Sequence, residues 1–339
     1  MNANRAHQIA VVFGVLLSMA ACESSRRSAD SNVLERPGRT VTVPAFNSDS
    51  AFSFIEKQVG FGPRVPNSQA HRRCGDYLIS ALETYGAQVT VQSFVEEAYD
   101  GQRLYLRNII GSFKPDNPKR ILLAAHWDTR PFADRDPERP DEPIDGANDG
   151  GSGVGVLLEV ARVLHANEAP EVGIDVIFFD GEDYGEHDSI AVAPMKNGRM
   201  QIWWCLGSQY WSRNLHKPGY SAYYGILLDM VGGRNARFYR EGGSMQFAPK
   251  VVRKIWKIAQ SLGYSHFFID SDSPGIIDDH IFISRDAGIP TVCVVEYNPE
   301  SPDSYFAPYH HTHQDNLKLI DRQTLQAVGE TVLYAIYHE

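Results

Sequence analysis

Residues 121–128 read Ile121-Leu122-Leu123-Ala124-Ala125-His126-Trp127-Asp128, an unbroken apolar run that ends in an imidazole, an indole and a carboxylate. A short, near-continuous apolar run is how a strand reads when it is buried on both faces, as in a parallel sheet. A strand with one wet face alternates instead. Three more runs of the same kind follow, at 175–179, 224–228 and 291–295. Helical patterns stand between and after them, at 153–165, 208–215, 249–262 and 279–287, and residues 322–337 close the chain with another. Strands alternating with helices predict a sheet covered by helices on both faces. Upstream, residues 88–94 and 104–113 alternate apolar and polar, which predicts an antiparallel pair at one edge. The expected fold is α/β: a single domain with a mixed, mostly parallel central sheet between two helical layers, a three-layer sandwich.

The bulk numbers suit this. The chain has 339 residues, 43% apolar and 22% charged, enough for one large core and without internal repeats. A formal charge of -10 with no Lys/Arg cluster argues against a nucleic-acid partner, because binding a polyanion needs clustered cations.

The N-terminus has a different character. Arg5 and His7 precede an apolar run over 9–17, then Leu17-Ser18-Met19-Ala20-Ala21-Cys22 leads into polar sequence. That is the layout of a secretory signal, and the run is too short to span a bilayer, which takes about 20 apolar residues. Its ending resembles a bacterial lipobox with Met19 where Leu is usual. The expected organisation is a lipoprotein-type signal peptide over 1–22 ending at the acceptor Cys22, a flexible tether over 23–48, and a catalytic domain over 49–339. The mature protein would be an exported bacterial lipoprotein, anchored at the cell envelope and facing the periplasm, touching membrane only through its lipid. The odd number and scattered spacing of Cys74, Cys205 and Cys293 do not form a disulfide framework, so all three are expected as buried thiols.

The chemistry gathers where the strands end. The first buried run leads into His126 and Asp128, the second into Asp180, Glu182 and Asp183, the third into Asp229, and the last precedes His310 and His311. Ligands of open α/β sheets bind outside the carboxyl ends of the strands, so residues far apart in sequence converge there. Singly, each has a plainer explanation: a lone strand-end His is usually just hydrogen-bonded, and Asp149 within the Gly-rich 146–153 suits a turn. Their recurrence in order, each after a strand, points to a bound cation. Imidazoles and carboxylates without cysteine suit zinc in an open catalytic site. Two long irregular stretches, 130–145 and 184–203, are expected to shape a pocket over it.

His126-Trp127-Asp128, Gly146-Ala147-Asn148-Asp149, Phe179-Asp180-Gly181-Glu182-Asp183, Leu228-Asp229 and His311-Thr312 together resemble the motif series of the M28 metallopeptidases, from about Phe52 to the C-terminus. Within that superfamily, Ile277-Asp278-Asp279-His280 and the block from Trp204 to Trp211 are similar to glutaminyl cyclases of a bacterial type. The resemblance implies a zinc aminopeptidase-like fold. It makes Asp149, Asp183 and His311 ligands of one zinc and places His126 and Asp229 at a possible second-metal position, one ion being expected for a cyclase and two for an aminopeptidase. It casts Glu182 as general acid/base, with Asp229 and Asp278 in a hydrogen-bond network beside it, and Asp128 as the carboxylate that orients His126. Trp204, Phe306, Tyr309 and His310 would line the substrate pocket, His310 standing where cyclases carry a Trp. The implied activity is glutaminyl-peptide cyclotransfer on peptide or protein N-termini by a monomer. The alternatives are an M28-type aminopeptidase and an inactive binding ectodomain on the same scaffold.

Overall fold

The structure is a computed structural model that describes residues 41–186, 195–196, 199–200, 202–301 and 305–339. The expected signal peptide, Cys22, the tether up to residue 40 and much of the 184–203 stretch lie outside the described residues.

The chain forms α1 (Ser48–Val59), α2 (Gln69–Thr84), β1 (Gln88–Glu97), β2 (Arg103–Phe113), β3 (Arg120–His126), α3 (Ser152–Ala166) and β4 (Gly173–Phe179). After the two-residue strands β5 (Met195–Lys196) and β6 (Arg199–Met200) come α4 (Leu206–Arg213), β7 (Gly225–Asp229), β8 (Phe238–Arg240), α5 (Gly242–Phe247) and α6 (Pro249–Ser261). The chain ends with β9 (Phe268–Asp272), α7 (Asp279–Asp286), β10 (Thr291–Val295) and α8 (Arg322–Tyr337).

Six strands make the central sheet in the order β1-β2-β4-β3-β7-β10. β4, β3, β7 and β10 run parallel, while β2 pairs antiparallel with both β1 and β4. This is the expected mixed, mostly parallel sheet, with the alternating pair at its edge. Three of the four continuous apolar runs form the interior strands β4, β3 and β7. The fourth, also expected at the centre, is β10 at the edge opposite β1, buried on both faces by the layers that cover it. Along each strand successive side chains face opposite layers. Ile121, Leu123 and Ala125 of β3 join Ile226 and Leu228 of β7 and Val292 and Val294 of β10 in the larger core, beneath α1, α2, α3, α6 and α8. Their neighbours Leu122, Ala124, Leu227, Cys293 and Val295 pack in a smaller core with Trp211 of α4 and Ile283 of α7. Burial on both faces is why these strands carry no alternation.

Phe46 is buried in the larger core and the Asn47 side chain caps α1, so the folded unit includes residues just before position 49. Cys74, Cys205 and Cys293 are free and buried, as expected. No helix among the described residues is long and apolar enough to cross a membrane. Because β3, β4, β7 and β10 are parallel, their carboxyl ends line up along one side of the sheet, with His126 level with Phe179 and Asp229 level with Val295.

Candidate active site

Strand ends deliver most of the expected site residues. His126 is the last residue of β3 and Asp229 the last of β7, while Glu182 and Asp183 follow β4 after a turn at Gly181, whose φ is +69°. Asp149 precedes the Gly150-Gly151 pair that opens α3. Gly150 has φ +76°, and a Cβ there would stand 2.2 Å from the Asp128 carbonyl oxygen, so only glycine lets these two loops approach so closely.

The imidazole of His126 lies between two carboxylates, with Nε2 3.1 Å from Asp149 Oδ1 and 3.2 Å from Asp229 Oδ1. The other Asp149 oxygen, Oδ2, is 3.8 Å from Nε2 of both His310 and His311. Asp149 thus belongs to two groups of potential ligands, His126/Asp149/Asp229 and Asp149/His310/His311, in each of which the ligand atoms lie within 4.8 Å of one another. Asp183 enters through His311, whose Nε2 is 3.3 Å from Asp183 Oδ1.

Several supports hold these groups. Asp128 Oδ1 and Oδ2 each accept a backbone N–H, from Glu182 and Asp183 respectively, both at 3.1 Å. Its Oδ1 is 3.6 Å from His126 Nδ1, too far for a hydrogen bond, so its firm contacts are with the loop that carries Glu182 and Asp183 rather than with the imidazole it was expected to orient. The carboxylate of Asp315 accepts the N–H groups of Asn148, at 2.7 Å, and Asp149, at 3.0 Å. On the far side of His311, Nδ1 is 3.1 Å from Asp134 Oδ1. Asp134 in turn takes two hydrogen bonds, of 3.0 and 2.5 Å, from the fully buried Arg130 guanidinium. Arg130 also donates to the carbonyl oxygens of Asp183 and Gly185.

Arg130, Asp134, Asp315 and Cys205 are components that residue patterns did not single out. Arg130 and Asp134 sit in the Pro-rich 130–145 stretch, where their four-residue spacing was the one available signal. Asp315 lies four residues beyond His311. Cys205 read simply as a buried thiol.

Burial and like charge dominate the electrostatics. Desolvation pushes the Glu182 carboxyl well above its ordinary range, and the neighbouring charges of Asp278, Asp279 and Asp183 add to the shift. Burial likewise raises Asp183, with Asp149 contributing, and raises Asp229 to about 7. Burial opposes ionisation of Asp149 too, but His126, His310 and His311 outweigh it and hold that carboxyl below its usual value. Both Asp183 oxygens and Nδ1 of His126 and His310 are buried without a hydrogen-bond partner. Crowded, unsatisfied carboxylates beside imidazoles are an expensive arrangement unless a cation compensates them. The donor set therefore fits zinc.

Next to this cluster, Glu182, Cys205 and Asp278 place ligand-type atoms within 4.8 Å of one another. Cys205 Sγ donates to Glu182 Oε1 at 3.0 Å, and Cys293 Sγ donates to Asp278 Oδ2 at 3.1 Å. The Asp278 charge contributes to the elevated pKa of both Glu182 and Asp229, so the three expected catalytic carboxylates share one environment.

The expected pocket aromatics gather at the same place. Trp204 lies parallel to His311, with ring centroids 6.0 Å apart and 7° between planes, and its ring is 4.6 Å from the Arg130 guanidinium. His310 stacks on His311 at 3.6 Å and meets Phe306 at 4.1 Å. The Tyr309 hydroxyl is hydrogen-bonded to Asn148 and Glu296, so Tyr309 braces the residue next to Asp149. His311 and Cys205 have left-handed backbones, with φ 56° and 59°, and Met230, directly after Asp229, has φ 46°. Such non-glycine conformations cost about 1–3 kcal/mol each and concentrate where function demands a particular side-chain direction.

Residues 108–336 match the family model for peptidase family M28. Among solved structures, the chain is similar to a glutaminyl cyclase from Bacteroides thetaiotaomicron bound to N-acetylhistamine, at 51% identity and a TM-score of 0.82, covering 88% of this chain and 100% of that one. A Zn-dependent exopeptidase from Parabacteroides distasonis is similar to the same degree, at 50% identity and a TM-score of 0.83, with 88% and 100% covered. A glutaminyl-peptide cyclotransferase from Bos taurus is 24% identical over 305 residues, 79% of this chain and 76% of the relative.

Proposed function

The chain belongs to peptidase family M28, and from that footing we propose that it is a zinc-dependent glutaminyl-peptide cyclotransferase, converting the N-terminal glutamine of peptides or proteins to pyroglutamate with release of ammonia. The observation that carries the reading is the association of Glu182 with Asp278 beside the ligand cluster. A carboxyl kept basic by burial and like charge can take up a proton and return it, and cyclisation needs that exchange without an external water.

Asp149, Asp183 and His311 would hold one zinc, which polarises a carbonyl oxygen and stabilises the charge that develops on it. Asp134 and Arg130 orient His311, and Asp128 fixes the backbone that aims Glu182 and Asp183 in different directions. In the reaction the α-amino nitrogen bonds to the γ-carbonyl carbon of the glutamine, and the carbon–nitrogen bond of the side-chain amide breaks. Glu182 accepts the proton lost by the α-amine and delivers it to the departing nitrogen, so that ammonia leaves and the carboxylate is restored. Asp278, with Asp279 and Asp183, keeps the surroundings of Glu182 negative, and the Asp278 charge acts on Asp229 as well. Trp204, Phe306 and His310 form the walls that hold the glutamine side chain and exclude water.

A zinc aminopeptidase is the second reading, favoured by one observation: His126, Asp149 and Asp229 also converge, and with Asp149 shared they offer a complete place for a second cation. The two readings differ in product. Incubation with a Gln-initiated peptide and mass analysis should show loss of ammonia with every residue retained. Release of free glutamine would replace the first reading by the second.

The N-terminal sequence supports export and anchoring by acylation of Cys22. A single acyl chain binds membranes only marginally, so stable anchoring would need more than one. Mass spectrometry of the protein from bacterial membranes should find acylated Cys22 as the first residue. Retention of residues 1–21 would remove the anchor from this account.

A further inference from the structure

Glu182 can exchange a proton productively only if its carboxylate is held in one orientation, and the loop after β4 offers it few partners. Its backbone N–H is bound to Asp128 and its carbonyl oxygen accepts the N–H of Cys205 at 2.9 Å. The adjacent N–H of Leu206 donates to the Gly181 carbonyl at 3.0 Å, so residues 205–206 are fastened to 181–182 by two backbone hydrogen bonds. From that fastening the Cys205 side chain reaches back to Glu182 Oε1 at 3.0 Å.

We propose that Cys205 is a positioning residue for this reaction, its thiol donating to Glu182 Oε1 and so leaving Oε2 as the oxygen that exchanges the proton. The inference rests on Glu182 being the general acid/base. Three further observations support it. Cys205 is in the left-handed region, with φ 59° and ψ 36°, where glycine would relieve the strain; a side chain kept there at that cost has a task. The thiol is fully buried and is kept protonated, chiefly by desolvation and then by the Glu182 charge, so it acts as a donor and not as a nucleophile. The relation also recurs beside it, where Cys293 donates to Asp278 Oδ2. A thiol is a weak, compact donor. It can fix a carboxylate rotamer without introducing a charge into the pocket.

The test compares Cys205→Ala with Cys205→Ser in the zinc-loaded protein, measuring kcat, KM, zinc content and thermal midpoint. The two variants leave nearly the same space and differ in the donor. Cys205→Ala is expected to lower kcat about tenfold, the loss of one hydrogen bond that orients a charged group, with KM and zinc content unchanged; the hydroxyl of Cys205→Ser should restore most of it. Cys205→Gly also removes the donor while relieving the backbone, and keeps the comparison available if Cys205→Ala does not fold. Equal losses in the Ala and Ser variants, or wild-type kcat without any donor, would overturn the proposal. The comparison runs on whichever turnover the wild type shows, ammonia release or residue release. Failure of the cyclase reading therefore leaves the Cys205 result interpretable, and absence of both turnovers overturns the two together.

Discussion

Nε2 of His311 lies 3.3 Å from Oδ1 of Asp183, and neither Asp183 oxygen has a hydrogen-bond partner although both are buried. An imidazole and a carboxylate without a hydrogen bond, presented together with the Arg130 guanidinium no nearer than 3.6 Å and with Asp149 Oδ2 3.8 Å from the same nitrogen, are the arrangement a cation would complete.

Removal of the metal is the first consequence. A chelator should strip zinc and activity together, and zinc should restore both. Asp183→Ala should lower zinc occupancy as well as rate, read by metal analysis beside turnover. Full activity in a metal-free preparation would refute the assignment.

Glu182→Gln should separate the two adjacent acids. Glutamine keeps the shape and can still accept a hydrogen bond from Cys205, but it cannot take a proton. Zinc content should hold while turnover falls by a factor of ~100 to 10,000. If Glu182→Gln loses zinc and Asp183→Ala keeps it, the two roles are reversed.

Asp128→Ala would leave the N–H groups of Glu182 and Asp183 without their acceptor. Each unpaired buried group costs about 1–3 kcal/mol, so calorimetry should show a thermal midpoint lower by several degrees, and turnover should drop because both acids lose their support. A midpoint equal to that of the wild type would show that the loop holds its shape without Asp128.

Glu296 provides a pH dependence away from the ligand cluster. Burial raises its carboxyl to about 7, while the Tyr309 hydroxyl opposes the shift. The folded state therefore binds this proton more tightly than the unfolded chain, whose glutamate titrates near ~4.3. The sign follows from linkage: the contribution is fully present below that unfolded value and is lost as pH rises through about 7. Chemical denaturation from pH 5 to 8 should show a loss of stability that Glu296→Gln reduces, the remainder coming from groups such as Asp229 and Asp315 that burial also raises to about 7. An unchanged slope in that variant would assign the pH dependence to other groups.

The sequence by itself determined the architecture and which strand-end residues converge, but not the residues that support them. Runs such as 121–125 and 291–295 are apolar at every position because both of their faces are covered, and parallel strands bring their carboxyl ends together, so His126, Glu182, Asp183 and Asp229 had to meet. The edge pair was legible for the opposite reason, since β1 is largely exposed and the first part of β2 alternates between exposed and buried positions, although the last six residues of β2 are all buried. Tertiary structure decided what each residue does after it arrives. That Asp128 reaches the amides of Glu182 and Asp183, that Arg130 and Asp134 stand behind His311, and that Cys205 turns its thiol to Glu182 follow from loop paths across the end of the sheet. Strands and helices impose a period on side-chain direction and so leave a trace in the order of residues. Loops impose none, and hydrogen bonds between residues 23 to 55 positions apart become visible only once the chain is folded.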